Sequence, residues 1–367
     1  MNGRLKKIIS DNVPFISRIF FITALFSAVF HISFVFNTDF ADFFNRYISS
    51  VFRTVLAKIT AVVPFSVAEA FLLFLPVILV FTVKKAFEAI GKSDREGNRT
   101  VIFFLSLVAL LYSIFALNFA AGYNTSDLAD KLGLVRKDLS TEELTAACEY
   151  LVRDLDVYSE NLELEYGGAS VMPYSNSEMV KKLNDAFEKG CEKYSFISKL
   201  NAPVKQIALS EPMTYTHISG VYSFFTGEAN LNVNYPDFVL PYTAAHEMAH
   251  QRGIAREDEA NFVAYLICME SEDDYIKYSA TLNMYEYVSS ALSKADKAAY
   301  SEIFSNLDVN VKNELYSYSN FFDKYRESKA SEVTETINDK YLTVQGTEGT
   351  KSYGMVVDLF AAYIASN

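Results

Sequence analysis

The chain contains no tryptophan, and its 367 residues include only three cysteines and four histidines. The cysteines, Cys148, Cys191 and Cys268, show no C-x-x-C spacing and are odd in number, so the sequence indicates neither a disulfide framework nor a redox pair. Cys268 is expected to pack in a core rather than to act as a nucleophile. No internal repeat or low-complexity tract is present, which excludes repeat architectures.

Positive charge is also scarce. Lys and Arg number 33 against 45 Asp and Glu, and the net charge of −12 argues against nucleic acid as a partner and against a polybasic membrane-surface role. Hydrophobic residues make up 50% of the chain, with 30 Phe and 24 Tyr. They are concentrated in the first third, and charged residues follow them. This distribution predicts a membrane anchor followed by a soluble domain.

Three apolar segments are each close to the roughly 20 residues that cross a bilayer core. We expect transmembrane helices at about residues 15–36, 62–83 and 101–121. Residues 1–121 would then form a membrane anchor with the lipid bilayer as partner, and residues 122–367 a separate domain. The long first apolar run, with no A-x-A-like site after it, argues against a cleaved signal peptide.

The basic residues near the ends of these segments predict the orientation. They precede the first segment (Arg4, Lys6, Lys7) and separate the second from the third (Lys84, Lys85, Lys92, Arg95, Arg99). Because cytoplasmic loops are enriched in Lys and Arg, the N-terminus is expected in the cytoplasm. Three crossings then place the C-terminal domain outside the cytoplasm, anchored to a cell membrane.

The segment His246-Glu247-Met248-Ala249-His250 is the strongest chemical signal. Residues i and i+4 of a helix share one face, about 5–6 Å apart at Cβ, so both imidazoles can reach one metal ion. Glu247 lies beside the first histidine, where it can reach a water molecule or a substrate. The H-E-x-x-H spacing is typical of zinc hydrolases, in which two histidines bind zinc and the glutamate is the general base. The alternative is a pair of histidines on a helix surface.

A catalytic zinc site needs a third protein ligand. Residues 256–266 are predicted to form a second helix that begins with acidic residues, as the helix dipole favours. Glu257 and Asn261 share one face of it with two alanines, so we expect Glu257 to be the third ligand. Asn261 is expected to hydrogen-bond the free ring nitrogen of a ligand histidine. Glu259 lies on the opposite face and is the alternative third ligand.

The H-E-x-x-H motif followed by E-x-x-A-N at Glu257 resembles the gluzincin metallopeptidases, whose third ligand is the Glu of an E-x-x-[AS]-[DN] helix. Residues 226–262, preceded by three apolar segments, also resemble a bacterial membrane-protein family catalogued as domain of unknown function 3810. The resemblance implies a zincin-type peptidase domain with Zn²⁺ held by His246, His250 and Glu257. Arg256 stands where metzincins carry a third histidine, which excludes that ligand set.

The C-terminal domain is predicted to be an α+β, zincin-like domain with a mostly helical C-terminal half. Periodicity predicts helices at about residues 141–158, 177–194, 274–293, 297–304 and 309–326, and strands at about 204–209, 215–225 and 229–234. The segment Leu231–Asn234 precedes the metal helix and is a candidate edge strand for binding a substrate backbone. An ordinary internal strand is the alternative.

These motifs predict a membrane-anchored zinc metallopeptidase that hydrolyses peptide bonds of a peptide or protein outside the cytoplasm, with Glu247 as general base. Four residues are candidates for the donor that stabilises the oxyanion: His217, Tyr222, Arg256 and Tyr353. The alternative function is a zinc-containing membrane sensor or assembly protein without turnover. An intramembrane site-2-type protease is disfavoured, because the motif follows a polar, proline-containing loop rather than lying in an apolar segment.

Overall fold

The structure is a computed structural model that describes residues 12–90, 94–160, 162–165 and 168–366. The described chain is mostly helical and contains one small sheet. It divides into two compact units, of which the first contains residues up to Thr125 together with Phe224–Gly227, and the second contains the rest. The inclusion of residues 224–227 in the first unit had no signal in the sequence.

Three helices of the first unit are long and apolar enough to cross a membrane: α1 (Phe15–Phe36), α4 (Val67–Ile90) and α5 (Asp94–Asn118). Three such helices were predicted, and the first coincides with its predicted range. The second begins five residues later than predicted, where Ser66 Oγ accepts a hydrogen bond from the Glu69 N–H at 2.9 Å and caps the helix. Among the basic residues used to predict orientation, Arg4, Lys6, Lys7 and Lys92 lie outside the described residues.

The connection between α1 and α4 is helical throughout. It consists of α2 (Thr38–Phe43), a π-helical segment (Phe44–Ser49) and α3 (Ser50–Ala61). Arg53 of α3 is buried, and its guanidinium donates to the Asn45 side chain at 2.9 Å and to the Asn118 carbonyl at 2.8 Å. Because a buried cation is costly without acceptors, these bonds fix α3 against the end of α5.

The described part of the second unit contains eleven α-helices and the sheet. The short 3₁₀ segment Ala120–Asn124 precedes it. Its helices are α6 (Leu128–Leu132), α7 (Thr141–Ser159), α8 (Asn176–Lys193), α9 (Ser210–Thr214), α10 (Val239–Gln251), α11 (Glu257–Met269), α12 (Asp274–Ala295), α13 (Lys297–Asn306), α14 (Val309–Asp323), α15 (Lys329–Val344), a 3₁₀ segment (Gly349–Met355) and α16 (Val356–Ser366). Local signals set several boundaries: Ser140 and Glu143, for example, form a reciprocal capping box that begins α7. The five helices predicted by periodicity outside the metal motif are confirmed to within a few residues.

The sheet has three strands, β1 (Val204–Gln206), β2 (Gly220–Ser223) and β3 (Glu228–Leu231), in the order β1-β3-β2. β3 runs parallel to β1 and antiparallel to β2. Leu231 pairs with Gln206 on one side and with Gly220 on the other. Of the segment Leu231–Asn234, only Leu231 lies in a strand, and that strand is the central one. The prediction of an edge strand is therefore wrong there, and the alternative of an internal strand is confirmed. β2 is an edge strand instead.

The core of the second unit surrounds α10 and α11. Nearly every residue of these two helices is buried, including polar ones, and a helix buried on all sides belongs to the interior of a domain. α12 packs against both helices. Ser279 of α12 donates a hydrogen bond to the Phe238 carbonyl and accepts one from the Tyr242 N–H at 3.1 Å, which fixes α12 to the first turn of α10.

Candidate metal centre

Two histidines lie together on α10. His246 and His250 are one helical turn apart, and their ring centroids are separated by 4.5 Å. Their side chains are only 12% and 8% exposed. The small residues around them, Ala245 and Ala249, are fully buried and leave the imidazoles as the polar groups of this face. Both rings therefore point into a nearly closed space rather than to solvent.

The turn that ends α10 orients one of these rings. Gly253 has φ of +96°, a left-handed conformation that favours glycine, and the Ile254 N–H returns to the Ala249 carbonyl at 3.2 Å. This turn brings the Ile254 carbonyl to His250 Nδ1 at 2.7 Å. Because a carbonyl only accepts, Nδ1 donates this bond, so Nε2 is the ring nitrogen that has the lone pair when the imidazole is neutral. The carbonyl thus selects the tautomer in which Nε2 can be a metal ligand.

Glu257, the first residue of α11, completes a three-residue group. Its Oε2 lies 3.2 Å from His246 Nε2 and 3.4 Å from His250 Nε2. Ligand atoms of all three residues lie within 4.8 Å of one another. In a tetrahedral zinc site with bonds of about 2.0–2.1 Å, neighbouring ligand atoms are about 3.3 Å apart. The two separations from Glu257 Oε2 therefore fit a small divalent cation held by these side chains.

The charges in the group also favour a cation between the side chains. Burial opposes the charged form of Glu257, but the two imidazoles outweigh it and hold the pKa of this carboxyl well below its usual range. Burial likewise opposes a charge on His250, yet Glu257 raises its pKa to about 9. The Glu257 carboxylate is thus ionised although it is buried, so a positive charge beside it is needed. The two imidazoles and this carboxylate are donors that suit Zn²⁺.

Three consecutive acidic residues begin α11, and their side chains have different partners. Asp258 accepts from Arg136 Nη1 at 2.8 Å. Glu259 Oε1 accepts from the Leu128 N–H at 2.9 Å and from Arg256 Nη1 at 2.8 Å. Glu257 alone of the three reaches the histidines, so the structure directs Glu259, the alternative third ligand, to another place.

Asn261 lies one turn after Glu257, where the sequence prediction placed it beside a ligand ring. In the structure a hydrogen bond joins its side chain to that of Tyr287, and its carbonyl accepts from the Tyr242 hydroxyl at 3.0 Å. The His250 Nδ1 bond is made with Ile254, as described above, and His246 Nδ1 has no hydrogen-bond partner among residues 12–90, 94–160, 162–165 and 168–366. Asn261 therefore fixes Tyr287 rather than a ligand histidine.

Glu247 lies beside the metal-binding group and against strand β2. Its side chain is buried, and the Tyr222 N–H donates a hydrogen bond to its carboxylate. A Cβ on Gly220 would come within 2.7 Å of Glu247 Oε1 and Cγ, so only glycine allows this approach. Burial raises the pKa of Glu247, and the two histidines partly offset the rise. The carboxyl is thus held at a fixed place with increased affinity for a proton.

The candidates for the oxyanion donor are spread through the unit. His217 Nε2 lies 2.8 Å from the Tyr325 carbonyl, and Arg256 is bonded to Glu259. Tyr222 contributes its N–H to Glu247, and the side chain of Tyr353 lies outside the described residues. Two residues at the site, Gly220 and Tyr287, were not predicted from the sequence. A glycine opening a β-branched and aromatic run was the available signal for the first, and nothing local pointed to the second.

Comparison with known proteins places the chain in a family. A family model described as protein of unknown function (DUF3810) matches residues 42–361, which is most of the chain. No curated protein matches the chain, and no solved structure matches it. The match includes α10, α11 and the side chains gathered around them. The chain belongs to the DUF3810 family of proteins of unknown function.

Proposed function

We propose that the protein is a membrane-anchored zinc metallopeptidase of the zincin type that hydrolyses peptide bonds outside the cytoplasm. The observation that carries the proposal is the convergence of His246 Nε2, His250 Nε2 and Glu257 Oε2, with the Glu247 carboxyl next to them. This is the donor set of a catalytic zinc site, with three protein ligands and an acid close by. A purely structural site does not require that acid.

In the proposed reaction, the metal ligands, Glu247 and strand β2 would have separate roles. Zinc bound by the three ligands supplies Lewis acidity, which polarises a carbonyl group and lowers the pKa of water. Glu247 accepts the proton of the attacking water and donates it to the leaving amine, and the raised pKa of this buried carboxyl suits it to both steps. The Tyr222 N–H and Gly220 hold the carboxylate in place during the reaction.

The outer edge of β2 supports an extended peptide as substrate. The Asn232 N–H bonds the Ser219 carbonyl at 2.9 Å, and antiparallel pairs alternate, so Val221 and Ser223 direct their backbone groups towards β3. Gly220 and Tyr222 then direct theirs away from the sheet, towards the side on which Glu247 lies. A substrate backbone could add to this edge, with main-chain bonds for affinity and side-chain pockets for selectivity.

The location rests on the three apolar helices of the first unit. Basic residues near the end of α4 and the start of α5, Lys84, Lys85, Arg95 and Arg99, favour a cytoplasmic connection between these two helices. With the second unit following α5, its metal centre would be outside the cytoplasm. Peptides or proteins on that side of the membrane are the proposed substrates.

The test compares the purified full-length chain with its Glu247→Gln variant. We expect about one zinc per chain in both, measured by metal mass spectrometry, since Glu247 is not a ligand. Cleavage of a peptide library should fall about 10²- to 10⁴-fold in the variant, the usual contribution of a general base. Glu188→Gln, a change on α8, serves as the matched control. Bound zinc with identical cleavage profiles for wild type and variant would favour the sensor or assembly role instead.

A further inference from the structure

Helix α3 of the first unit has an exposed apolar face that none of the roles described above uses. Val51, Val55 and Ile59 lie on this face at helical spacing, and Val62 continues their line just after the helix ends. These four residues, the apolar stripe of α3, are between 50% and 83% exposed. Soluble proteins rarely expose a continuous apolar surface of this kind to water, so the stripe indicates an interaction surface.

The opposite face of α3 is occupied by protein. Arg53, Ala57 and Thr60 lie on that face and are buried. The Arg53 guanidinium donates to the carbonyl of Asn118, the last residue of α5, at 2.8 Å. A buried cation held in this way fixes the rotation of the helix about its axis. The apolar stripe is therefore directed away from the protein.

The ends of the three apolar helices determine where α3 would lie relative to a bilayer. Successive crossings alternate in direction, so the end of α1, the start of α4 and the end of α5 would all lie at one face of the membrane. Helix α3 belongs to the connection between α1 and α4. The Ser49 hydroxyl, just before α3, donates to the Leu117 carbonyl near the end of α5 at 2.7 Å. These contacts place α3 at the level where the apolar helices would leave the bilayer.

The segment that leads to α3 is packed back onto α1. Phe34 belongs to the last turn of α1, and its ring centroid lies 5.7 Å from that of Phe40 in α2 and 4.8 Å from that of Phe44 in the π-helical segment. Phe34 and Phe44 are both buried in this aromatic cluster. The packing keeps the connection, and α3 with it, beside the end of α1.

We propose that α3 is an interfacial helix that inserts its apolar stripe into one leaflet of the membrane, at the boundary between the lipid headgroups and the acyl chains. The partner is the lipid surface. An amphipathic helix in this position has its apolar face about 5–10 Å below the membrane surface. Insertion is favourable because it removes the four apolar side chains from water.

The chain contains no tryptophan, so a single introduced tryptophan reports the surroundings of one chosen position. Val55→Trp and Ile59→Trp each place a tryptophan in the apolar stripe, and both positions are exposed, so neither change requires repacking. Phe74→Trp, at an exposed position within α4, is the control for the bilayer interior. Tyr316→Trp, at an exposed position of α14, is the control for water.

Each full-length variant is placed in phosphatidylcholine nanodiscs, and its fluorescence is measured with three quenchers. These are lipids brominated near the headgroup end of the acyl chain, lipids brominated near the chain end, and iodide in the water. We expect both stripe variants to lose most fluorescence to bromine near the headgroups, and less to iodide than Tyr316→Trp does. Phe74→Trp should lose most to bromine near the chain ends, and Tyr316→Trp should respond to iodide alone.

Three other results for the stripe variants would each overturn the inference. Quenching by iodide equal to that of Tyr316→Trp would show that the stripe faces water. Quenching by chain-end bromine equal to that of Phe74→Trp would show that α3 enters the bilayer interior. Protection from both bromine and iodide would show that protein covers the stripe, as a second copy of the chain would. No cleavage is measured, so the outcome is independent of the proposed peptidase activity.

Discussion

Gly220 and Glu247 are 27 positions apart in sequence, yet the backbone of one lies against the carboxylate of the other, and a Cβ on Gly220 would come within 2.7 Å of Glu247 Oε1. An edge strand therefore sets the position of the proposed general base. In the same strand, the Tyr222 N–H holds that carboxylate by a hydrogen bond. The site is thus built from α10, α11 and β2 together.

Gly220→Ala should reduce peptidase activity without removing zinc. The added methyl group must displace Glu247 or Thr243, and a misplacement of about 1 Å in a catalytic group costs about 100-fold in rate. Gly354→Ala is a matched control, because a Cβ there meets nothing within 4 Å. The measurements are kcat/KM and zinc content. Unchanged kcat/KM in Gly220→Ala would mean that β2 does not position the base.

The variants Glu257→Gln and Glu259→Gln should show which of the two glutamates binds the metal. Loss of the Glu257 carboxylate should weaken zinc binding by at least about 100-fold, measured by competition with a chelator. Glu259→Gln should retain zinc but lower the free energy of unfolding by about 1–3 kcal/mol, because Glu259 accepts bonds from Leu128 and Arg256 in the core. The reverse pattern would assign the ligand role to Glu259.

Arg136→Leu should destabilise the second unit. Its guanidinium donates to Asp258 at 2.8 Å and to Asp358 at 2.9 Å, and the Asp258 side chain is only 6% exposed. Because the Asp258 carboxylate is then buried without its partner, the free energy of unfolding, measured with denaturant, should fall by about 3 kcal/mol. The neighbouring Lys137→Leu, at a side chain 62% exposed, should cost less than about 1 kcal/mol. Equal effects of the two changes would contradict the assigned role of Arg136.

Glu286→Gln should make the folded chain more stable at pH 8 and leave it nearly unchanged at pH 5. The folded state raises the pKa of Glu286 from 4.5 to about 7, so its favourable contribution is complete below about pH 4.5 and is lost as the pH rises through 7. Glutamine removes that penalty. Because Glu286 is partly exposed, solvent reduces the penalty. We expect the free energy of unfolding at pH 8, measured with urea, to increase by about 1–2 kcal/mol. A variant less stable than wild type at pH 8 would show that the carboxylate is compensated.

Local periodicity explains which parts of the site the sequence could predict. His246 and His250 share a face because helix geometry brings i and i+4 together whatever surrounds the helix. The same rule separated Glu257 from Glu259; in the structure Glu257 lies beside the two histidines, and Glu259 accepts a hydrogen bond from the Leu128 N–H. The three apolar helices followed from length and hydropathy alone.

Local periodicity could not predict the order of the strands in the sheet. The segment at Leu231 was a candidate edge strand, but it lies between two other strands. β1, about 25 positions earlier in the chain, pairs with it in parallel, and β2 pairs with it antiparallel. Which strand has the free edge depends on this long-range pairing. The edge-strand prediction failed for that reason, and Asn261 was misassigned because its partner, Tyr287, comes from another helix.

The sequence by itself therefore determined the three apolar helices, five helices outside the metal motif and the paired histidines with their neighbouring acid, because each depends on contacts within one or two turns. Only the tertiary structure decided that Glu257 Oε2 meets both imidazoles, that Gly220 faces Glu247 and that Arg53 joins α3 to the end of α5. Those relationships join residues from separate elements, and the packing of the core, rather than local backbone preference, sets the distances between them.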